Sequence, residues 1–322
     1  MRGSLRTLGF LLCLPFVLSG QSPSPQAELH STAFVVASRI TLAVKGPAGP
    51  VFDRDFPDPT VMRVGKTYYA FATQTPWESP GHVFPILVST DLARWTYTAD
   101  VFAAAPAWGL GDWWAPAPIA RNGTYYVYYS GRSRSRMHCL AVATASRPAG
   151  PYTDHGPIAC NDGAQARGYI DAWPLLAAGN AYLYFSVDGP DHHSISVLPM
   201  TSDMLGVAGP RAELLGVTEA WESGRNGTVE GPSVFAWGSR FVLLYSGGDW
   251  RGRYGMGYAV ATSPLGPFVK STTPLLQTGG PLSGPGGGSF FTDSNGRPWL
   301  AYHGWLGAGR VLYVSPLSIA LA

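Results

Sequence analysis

Three acidic residues, Asp58, Asp171 and Glu230, occupy similar places in an internal repeat of this 322-residue chain. Aromatic strand cores mark the repeat at steps of 57, 57, 59 and 58 residues. Their centres are Tyr68, Tyr125, Tyr182, Phe241 and Trp299. Each acid lies about ten residues before one of these cores, and the other two repeats carry Ala115 and Gly287 at that place. If the repeats surround one axis, the three carboxylates converge on it.

Three convergent carboxylates fit the hydrolysis of a glycosidic bond. This reaction needs a carboxylic acid that protonates the leaving oxygen and a carboxylate that activates water or attacks the sugar. The two groups must differ in protonation state at one pH, so their surroundings must differ. A third carboxylate nearby raises the pKa of the acid through like-charge repulsion. For each acid taken singly, the alternative is a structural role in a turn or at a strand edge.

The segments around these acids have the pattern of β-strands. Each repeat contains a short strand with the acid or its replacement, a turn, the aromatic strand, a third apolar strand and, in most repeats, a polar edge segment. No stretch of useful length has a clean helical period with caps. Five such units predict an all-β fold, a five-bladed β-propeller with four-stranded antiparallel blades. A β-sandwich with coincidental spacing is the alternative.

The propeller domain is predicted to span residues 33–322. Its apolar first segment, residues 33–44, is expected to add a strand to the first or last blade. Residues 1–27 are predicted to be a signal peptide and flexible lead-in, because two arginines precede an apolar run, Leu8–Leu18, that is too short to span a bilayer. We therefore expect a secreted or periplasmic protein without membrane contact after cleavage. A retained N-terminal anchor is the alternative.

Composition and charge argue against a nucleic-acid partner. The net charge is +2, from 22 basic and 20 acidic residues, and no run of Lys or Arg could follow a phosphate backbone. Aromatic residues make up 13% of the chain. A nearly neutral, aromatic-rich surface suits an uncharged ligand such as a sugar.

Cys139 and Cys160 are the two cysteines outside the predicted signal peptide. They flank two strand-like segments joined by a turn, and an exported protein can keep a disulfide between them. Such a bridge would stabilise the fold by about 3 kcal/mol on the loop-entropy estimate. Their spacing matches no zinc-binding pattern.

Three segments resemble the signature blocks of glycoside hydrolase family 43: FPDPTVMRVGKTYYAFAT, YIDAWPLL and VEGPSVF. The resemblance extends over roughly Asp53 to Tyr313. It implies a five-bladed propeller that cleaves glycosides with inversion, and most members are α-L-arabinofuranosidases, arabinanases or β-xylosidases. By this resemblance, Asp58 would be the general base that activates water and Glu230 the general acid. Asp171 would tune the pKa of Glu230 and orient it.

The fifth repeat departs from the pattern of this family. Many members have a His there, associated with a central calcium ion or structural water, whereas this chain has Gly287. We therefore predict no essential metal, and the missing ligand argues against a structural calcium. His303, on the next strand, is predicted to lie in the wall of the site or in the core rather than to bind a metal.

Aromatic residues near the predicted mouth are candidates for stacking on the apolar faces of sugars. Trp114 ranks first, because it directly precedes the second-repeat counterpart of the acids. The further candidates are Trp77, Trp173, Trp113 and Trp250. Packing between blades is the alternative for each. Arg225 is a candidate for contact with a substrate hydroxyl or a catalytic carboxylate, with an ordinary surface arginine as the alternative.

The preferred function is that of a secreted inverting glycosidase acting on arabinose- or xylose-containing plant cell-wall polysaccharide or oligosaccharide. An α-L-arabinofuranosidase is the first choice, with a β-xylosidase or an endo-arabinanase of the same family as alternatives. A non-catalytic carbohydrate-binding propeller and a fructan hydrolase are the others. Fructan hydrolases usually have Asn-Asp-Pro where this chain has Pro57-Asp58-Pro59. The protein is expected to be a monomer.

Overall fold

The computed structural model describes residues 40–46, 49–161, 168–189, 193–223 and 227–321. The predicted signal peptide and Arg225 lie outside these described residues. Within them the chain forms β-strands and a short 3-10 helix, Ala220–Glu222. None of the helical structure described is long and apolar enough to cross a membrane. The all-β fold of four-stranded antiparallel sheets is confirmed.

The strands follow the repeat in chain order, after an initial strand β1 (Ile40–Val44). The first unit contains β2 (Thr60–Val64), β3 (Thr67–Phe71), β4 (Pro85–Ser89) and β5 (Thr96–Asp100). The second contains β6 (Gly109–Arg121), β7 (Thr124–Ser133), β8 (His138–Ala145) and β9 (Thr153–Cys160). The third contains β10 (Gly168–Ala177), β11 (Asn180–Asp188), β12 (Ser194–Pro199) and β13 (Ala212–Gly216).

The last two units differ from this plan at their outer edges. The fourth contains β14 (Val229–Trp237), β15 (Arg240–Gly248) and β16 (Tyr254–Ala261), followed by the two short strands β17 (Val269–Lys270) and β18 (Leu276–Gln277). The fifth contains β19 (Gly286–Thr292), β20 (Pro298–Leu306) and β21 (Gly309–Leu321). The fifth unit takes its fourth strand from the start of the described chain, since β1 pairs with β21 from Ile40↔Leu321 to Val44↔Leu317. The predicted added strand therefore lies on the last unit.

The hydrophobic core consists of clusters that each lie between two neighbouring units. The rings of Phe84 in the first unit and Tyr129 in the second are 5.2 Å apart, for example. The fifth unit packs on the first in the same way, with the rings of Phe291 and Tyr68 6.1 Å apart. The units therefore form a closed ring, which is not a β-sandwich of two sheets.

The second and third units are also linked directly. A single parallel pairing between Gly168 and His138 joins β10 to β8. Cys139 and Cys160, the pair expected from the sequence, form a disulfide between β8 and β9. The covalent bond thus lies next to the pairing between the two units.

Candidate active site

One residue at the start of each unit has a left-handed backbone conformation, and these residues recur with the repeat. Their φ angles are 52° at Asp58, 45° at Ala115, 57° at Asp171, 63° at Gly231 and 55° at Gly287. In β10, β14 and β19 the strand register shifts at the same point, which marks a β-bulge. A bulge bends a strand and redirects its side chains, so it can aim several of them into one cavity.

Hydrogen bonds between neighbouring units hold these backbone positions. At four junctions, the N–H of the left-handed residue donates to a side chain of the preceding unit, and that side chain lies on or just after the second strand of its unit. These bonds run from Ala115 to Thr73 Oγ1 (2.8 Å), Gly231 to Ser186 Oγ (3.0 Å), Gly287 to Ser246 Oγ (2.9 Å) and Asp58 to His303 Nδ1 (3.1 Å). At the junction that closes the ring, His303 therefore takes the place of the hydroxyl groups.

Glu230 does not occupy the same structural position as Asp58 and Asp171, which corrects the alignment made from the sequence. On β14 the left-handed residue is Gly231, and Glu230 precedes it. By strand register, its counterpart on β10 is Ile170. The aromatic cores align the repeats to within one residue, but the bulge determines which backbone position carries each acid.

The three acids nevertheless line one cavity of about 680 Å³. Trp114 and Trp173 line the same cavity. Its size is within the range of pockets that enclose a small ligand. The structure therefore brings together side chains from three units that are far apart in the sequence.

Asp58 is surrounded by groups that favour its charged form. Thr73 Oγ1 donates to Asp58 Oδ2 (2.7 Å) and Arg310 Nη1 to Asp58 Oδ1 (3.3 Å). Burial alone would raise the pKa of Asp58, but the Arg310 charge and these hydrogen bonds outweigh burial and hold the pKa well below its ordinary value. Burial lowers the pKa of His303, so this ring is neutral and its Nδ1 accepts the N–H of Asp58. Asp58 is therefore a carboxylate at neutral pH.

Glu230 has the opposite tendency. Burial raises the pKa of Glu230 to about 7, and the negative charges of Asp58 and Asp188 act in the same direction. Tyr254 opposes this shift, since its hydroxyl donates to Glu230 Oε1 (2.7 Å) and so favours the carboxylate. Burial also raises the pKa of Tyr254 well above its ordinary value, so the phenol keeps its proton. Around neutral pH, Glu230 therefore holds a proton that it can donate.

Asp171 is coupled to Glu230 both electrostatically and through the backbone. Burial, followed by the negative charges of Glu230 and Asp58, raises the pKa of Asp171 well above its ordinary value. Asp171 Oδ2 accepts hydrogen bonds from Ser186 Oγ (3.0 Å) and from the N–H of Gly231 (3.1 Å). Because Gly231 follows Glu230 directly, Asp171 fixes the backbone that carries Glu230.

Arg310 and Tyr254 belong to the site but were not found from the sequence. Arg310 follows the turn between β20 and β21, and Tyr254 begins β16. Neither lies at or next to the repeat position that marks the acids. In the sequence, Arg310 is only a basic residue at the start of an apolar strand, and Tyr254 is only a tyrosine at the start of another. Both are too common to indicate a site.

The tryptophan candidates have different environments. Trp114 lines the cavity and stacks on His138, with ring centroids 4.4 Å apart. Trp173 also lines it, and its Nε1 donates to Val234 O (2.9 Å). Trp250 lines the cavity at an exposed position. Trp113 is buried in the core between the first two units.

Trp77 is not among the residues that line the cavity, contrary to the prediction that it binds substrate. Its Nε1 donates to Asp55 O (2.6 Å), and its ring packs against His82 with centroids 3.9 Å apart. These contacts hold the indole within its own loop, which explains its position. The remaining candidate for substrate binding, Arg225, is not among the described residues.

His303 and Gly287 bear on the calcium ion that the family resemblance suggests. A Cβ at Gly287 would lie 2.6 Å from Asp58 Oδ1 and 2.8 Å from His303 Nδ1, so a histidine does not fit there without displacing both. His303 is buried behind Asp58 and does not line the cavity, so it belongs to the core and not to the substrate-binding wall. Across the described residues, no group of three or more His, Cys, Asp or Glu could hold a metal ion. The histidine that the resemblance associates with this ion is therefore missing, and position 287 has no room for it.

Comparison with known proteins agrees with this geometry. The model of the glycosyl hydrolases family 43 matches residues 48–317. The chain belongs to this family. A probable arabinan endo-1,5-alpha-L-arabinosidase A of Neosartorya fischeri is a family 43 relative at 28% identity, covering 85% of this chain and 91% of that protein.

A second relative is named for a different activity. The beta-D-galactofuranosidase xynD of Aspergillus niger is 26% identical, covering 91% of this chain and 84% of that protein. The crystal structure of a thermostable family-43 glycoside hydrolase matches with a TM-score of 0.74 at 23% identity, covering 87% of this chain and 96% of that one. That similarity shows a shared fold.

Membership of family 43 makes this protein a glycoside hydrolase. The resemblance of the three signature blocks is confirmed, and the non-catalytic propeller and the fructan hydrolase are set aside. In this family 43 enzyme, an ionised Asp58 and a protonated Glu230 share a cavity with Asp171. A carboxylate and a carboxylic acid in one pocket are the groups that glycoside hydrolysis requires.

Proposed function

We propose that this family 43 enzyme is secreted and cleaves α-L-arabinofuranosidic bonds in arabinose-containing plant polysaccharides or oligosaccharides, with inversion at the anomeric carbon. The observation that carries the proposal is that one cavity holds an ionised Asp58 and a protonated, neutral Glu230 near neutral pH. One group is ready to accept a proton and the other to donate one.

In the proposed mechanism, Asp58 accepts a proton from a water molecule while the oxygen of that water forms a bond to the anomeric carbon. Water attacks on the face opposite the leaving group. The bond between the anomeric carbon and the leaving oxygen breaks, and Glu230 donates its proton to that oxygen. The sugar is released with inverted configuration, Asp58 is left protonated and Glu230 ionised. Exchange with solvent restores both groups.

Asp171 has two tasks in this proposal. Its bond to the N–H of Gly231 (3.1 Å) positions the backbone of Glu230. Its charge, when ionised, repels the charged form of Glu230 and so favours the protonated acid. Asp171 thus acts through Glu230 and not on the substrate.

The choice of an arabinofuranoside is supported by the names of the relatives. One is called an arabinan endo-1,5-alpha-L-arabinosidase and another a beta-D-galactofuranosidase. The first name also favours a second candidate, an endo-acting arabinanase that cleaves inside the chain. A β-xylosidase is the third choice, since no relative described above has that name.

A panel of aryl glycosides and arabinan and xylan oligosaccharides tests the substrate, with products followed by NMR. We expect hydrolysis of an aryl α-L-arabinofuranoside or of 1,5-linked arabino-oligosaccharides, with the inverted anomer formed first. Retention of configuration would contradict the mechanism, and cleavage of xylosides alone would contradict the substrate. The same assays after dialysis against a chelator test the proposal that no metal is required.

Asp58→Ala and Glu230→Gln test the two roles separately. Each should lower kcat by about 10²–10⁴-fold or more on a substrate with a poor leaving group. Glu230→Gln should recover much of its rate on a dinitrophenyl glycoside, whose leaving group needs no proton, whereas Asp58→Ala should not. Full activity in either variant, with folding confirmed by circular dichroism, would refute its assigned role.

A further inference from the structure

Trp250 is an exposed tryptophan at the rim of the catalytic cavity. All eleven tryptophans lie in the described part of the chain, and Trp250 is the one that is exposed, at 41% of its surface. Core packing does not account for such a residue. A large apolar side chain that remains exposed beside a cavity is a common feature of binding sites.

The orientation of this indole is fixed by a second one. The rings of Trp250 and Trp305 are nearly parallel, at 20° with centroids 6.1 Å apart, and Trp305 Nε1 donates to Trp250 O (3.1 Å). Trp305 in turn rests on Gly284, where a Cβ would lie only 2.6 Å from the indole Cδ1. We call Trp250 and Trp305 the aromatic pair. A surface fixed in this way loses little conformational entropy when a ligand binds.

A second hollow of about 390 Å³ adjoins the catalytic cavity at the aromatic pair. It is lined by Trp250, Arg251, Gly252, Ser283, Trp305 and Gly307. Trp250 and Arg251 also line the catalytic cavity, so the two spaces are adjacent and share these side chains. A chain that leaves the catalytic cavity in this direction passes over the aromatic pair.

We propose that this hollow is a sugar subsite, which binds a further neutral sugar unit of the chain whose bond is cleaved. The inference rests on the proposed function and deepens it. Aromatic faces pack against the apolar faces of sugars. The exposed Arg251 guanidinium, which lies 4.6 Å from the centre of the Trp250 ring, supplies hydrogen-bond donors for hydroxyl groups. The enzyme therefore prefers substrates long enough to reach the aromatic pair.

The aromatic pair also has a structural contact that any test must separate from substrate binding. The Arg310 guanidinium lies 5.7 Å from the ring of Trp250 and 5.9 Å from that of Trp305, and Arg310 also contacts Asp58. Loss of either indole can thus lower activity on every substrate through Arg310. Only a change that depends on substrate length identifies the subsite.

The test is the ratio of kcat/KM on a long arabino-oligosaccharide to kcat/KM on an aryl α-L-arabinofuranoside, which has one sugar. In Trp250→Ala and Trp305→Ala we expect this ratio to fall about tenfold, the effect of losing one aromatic contact of roughly 1.4 kcal/mol. Leu306→Ala is the matched control, because Leu306 is an exposed neighbour that lines neither space. It should keep the wild-type ratio. An unchanged ratio in both tryptophan variants would overturn the proposal.

A binding measurement covers the case in which these variants do not fold. In the inactive Glu230→Gln protein, an arabino-oligosaccharide should change the tryptophan fluorescence and bind about tenfold more tightly than a one-sugar glycoside. Equal affinity for long and short ligands would refute the subsite. If wild-type enzyme cleaves no arabinofuranosidic substrate of any length, the proposed function fails instead.

Discussion

The two carboxyl groups of the proposed mechanism differ in charge because their nearest neighbours differ. Asp58 has a guanidinium at 3.3 Å, whereas Glu230 has a phenol at 2.7 Å and carboxylates close by. Burial raises the pKa of both groups, and only at Asp58 do a nearby positive charge and hydrogen bonds together outweigh it. The same side-chain chemistry thus supplies a base and an acid.

The pH dependence of activity tests this assignment. Glu230 must be protonated to act, so kcat/KM should fall as the pH rises through its pKa of about 7. Tyr254→Phe removes the hydrogen bond that favours the carboxylate, so the pKa of Glu230 should rise and the alkaline limb should move to higher pH. A pH profile of kcat/KM for both proteins checks this. An alkaline limb that stays in place in Tyr254→Phe, or moves to lower pH, would contradict the role of Glu230.

Repeat spacing made the acids predictable as residues, but it could not reveal their partners. Asp58 and Asp171 share a place in the repeat and Glu230 lies one residue before it, so counting along the chain to within one residue finds all three. Arg310 is 252 residues from Asp58 and meets it only because the ring closes. Its type and its local sequence are ordinary, so its role follows from the tertiary structure alone.

At the scale of single elements, the strands were predictable from alternation and turn residues, whereas the bulges were not. The left-handed position falls on glycine at 231 and 287 but on Asp or Ala in the other units. No residue type therefore marks it consistently. The one-residue error at Glu230 follows from this, because a spacing of about ten residues from the aromatic core does not distinguish Glu230 from Gly231.

The 3-10 helix Ala220–Glu222 ends at a buried ion pair that carries no catalytic group. Lys270 Nζ lies 2.6 and 2.7 Å from the two carboxylate oxygens of Glu222, whose other partners include the hydroxyl of Tyr245 (2.7 Å). Both charged side chains are almost fully buried. Glu222 ends the 3-10 helix and Tyr245 lies on β15, so these contacts hold the end of the helix against the fourth unit.

Lys270→Met should destabilise the protein by leaving the buried Glu222 carboxylate unpaired. We expect the free energy of unfolding to fall by about 3–5 kcal/mol in urea denaturation. The double variant Glu222→Gln/Lys270→Met should lose less, because no charge then remains buried. Arg94→Met is the control, since it breaks an exposed pair with Asp91 and should change stability very little. A double variant as unstable as the single one would argue against this account.

The molecule as a whole depends on the junction between its first and last units. β1 supplies the last strand of the fifth unit, and β-ladder contacts such as Phe52↔Leu312 cross the same junction. Across this junction, Arg310 donates a hydrogen bond to the Asp58 carboxylate, and the N–H of Asp58 donates to His303 Nδ1. Closure of the ring therefore brings the Arg310 charge to Asp58 and keeps the proposed base ionised. Opening the junction should remove activity even if the other units stay folded.

Leu42→Asp tests this coupling. Leu42 lies on β1, and its side chain is buried in the hydrophobic core. An aspartate there should lower the free energy of unfolding by at least about 3 kcal/mol, because it places a charge in an apolar environment. Thr41→Asp is the matched control, since Thr41 is the exposed neighbour on the same strand. We expect activity in Leu42→Asp to disappear at a lower temperature than the bulk of the β-sheet signal in circular dichroism. If activity and sheet content were instead lost together at the wild-type midpoint, β1 would not hold the proposed base in place.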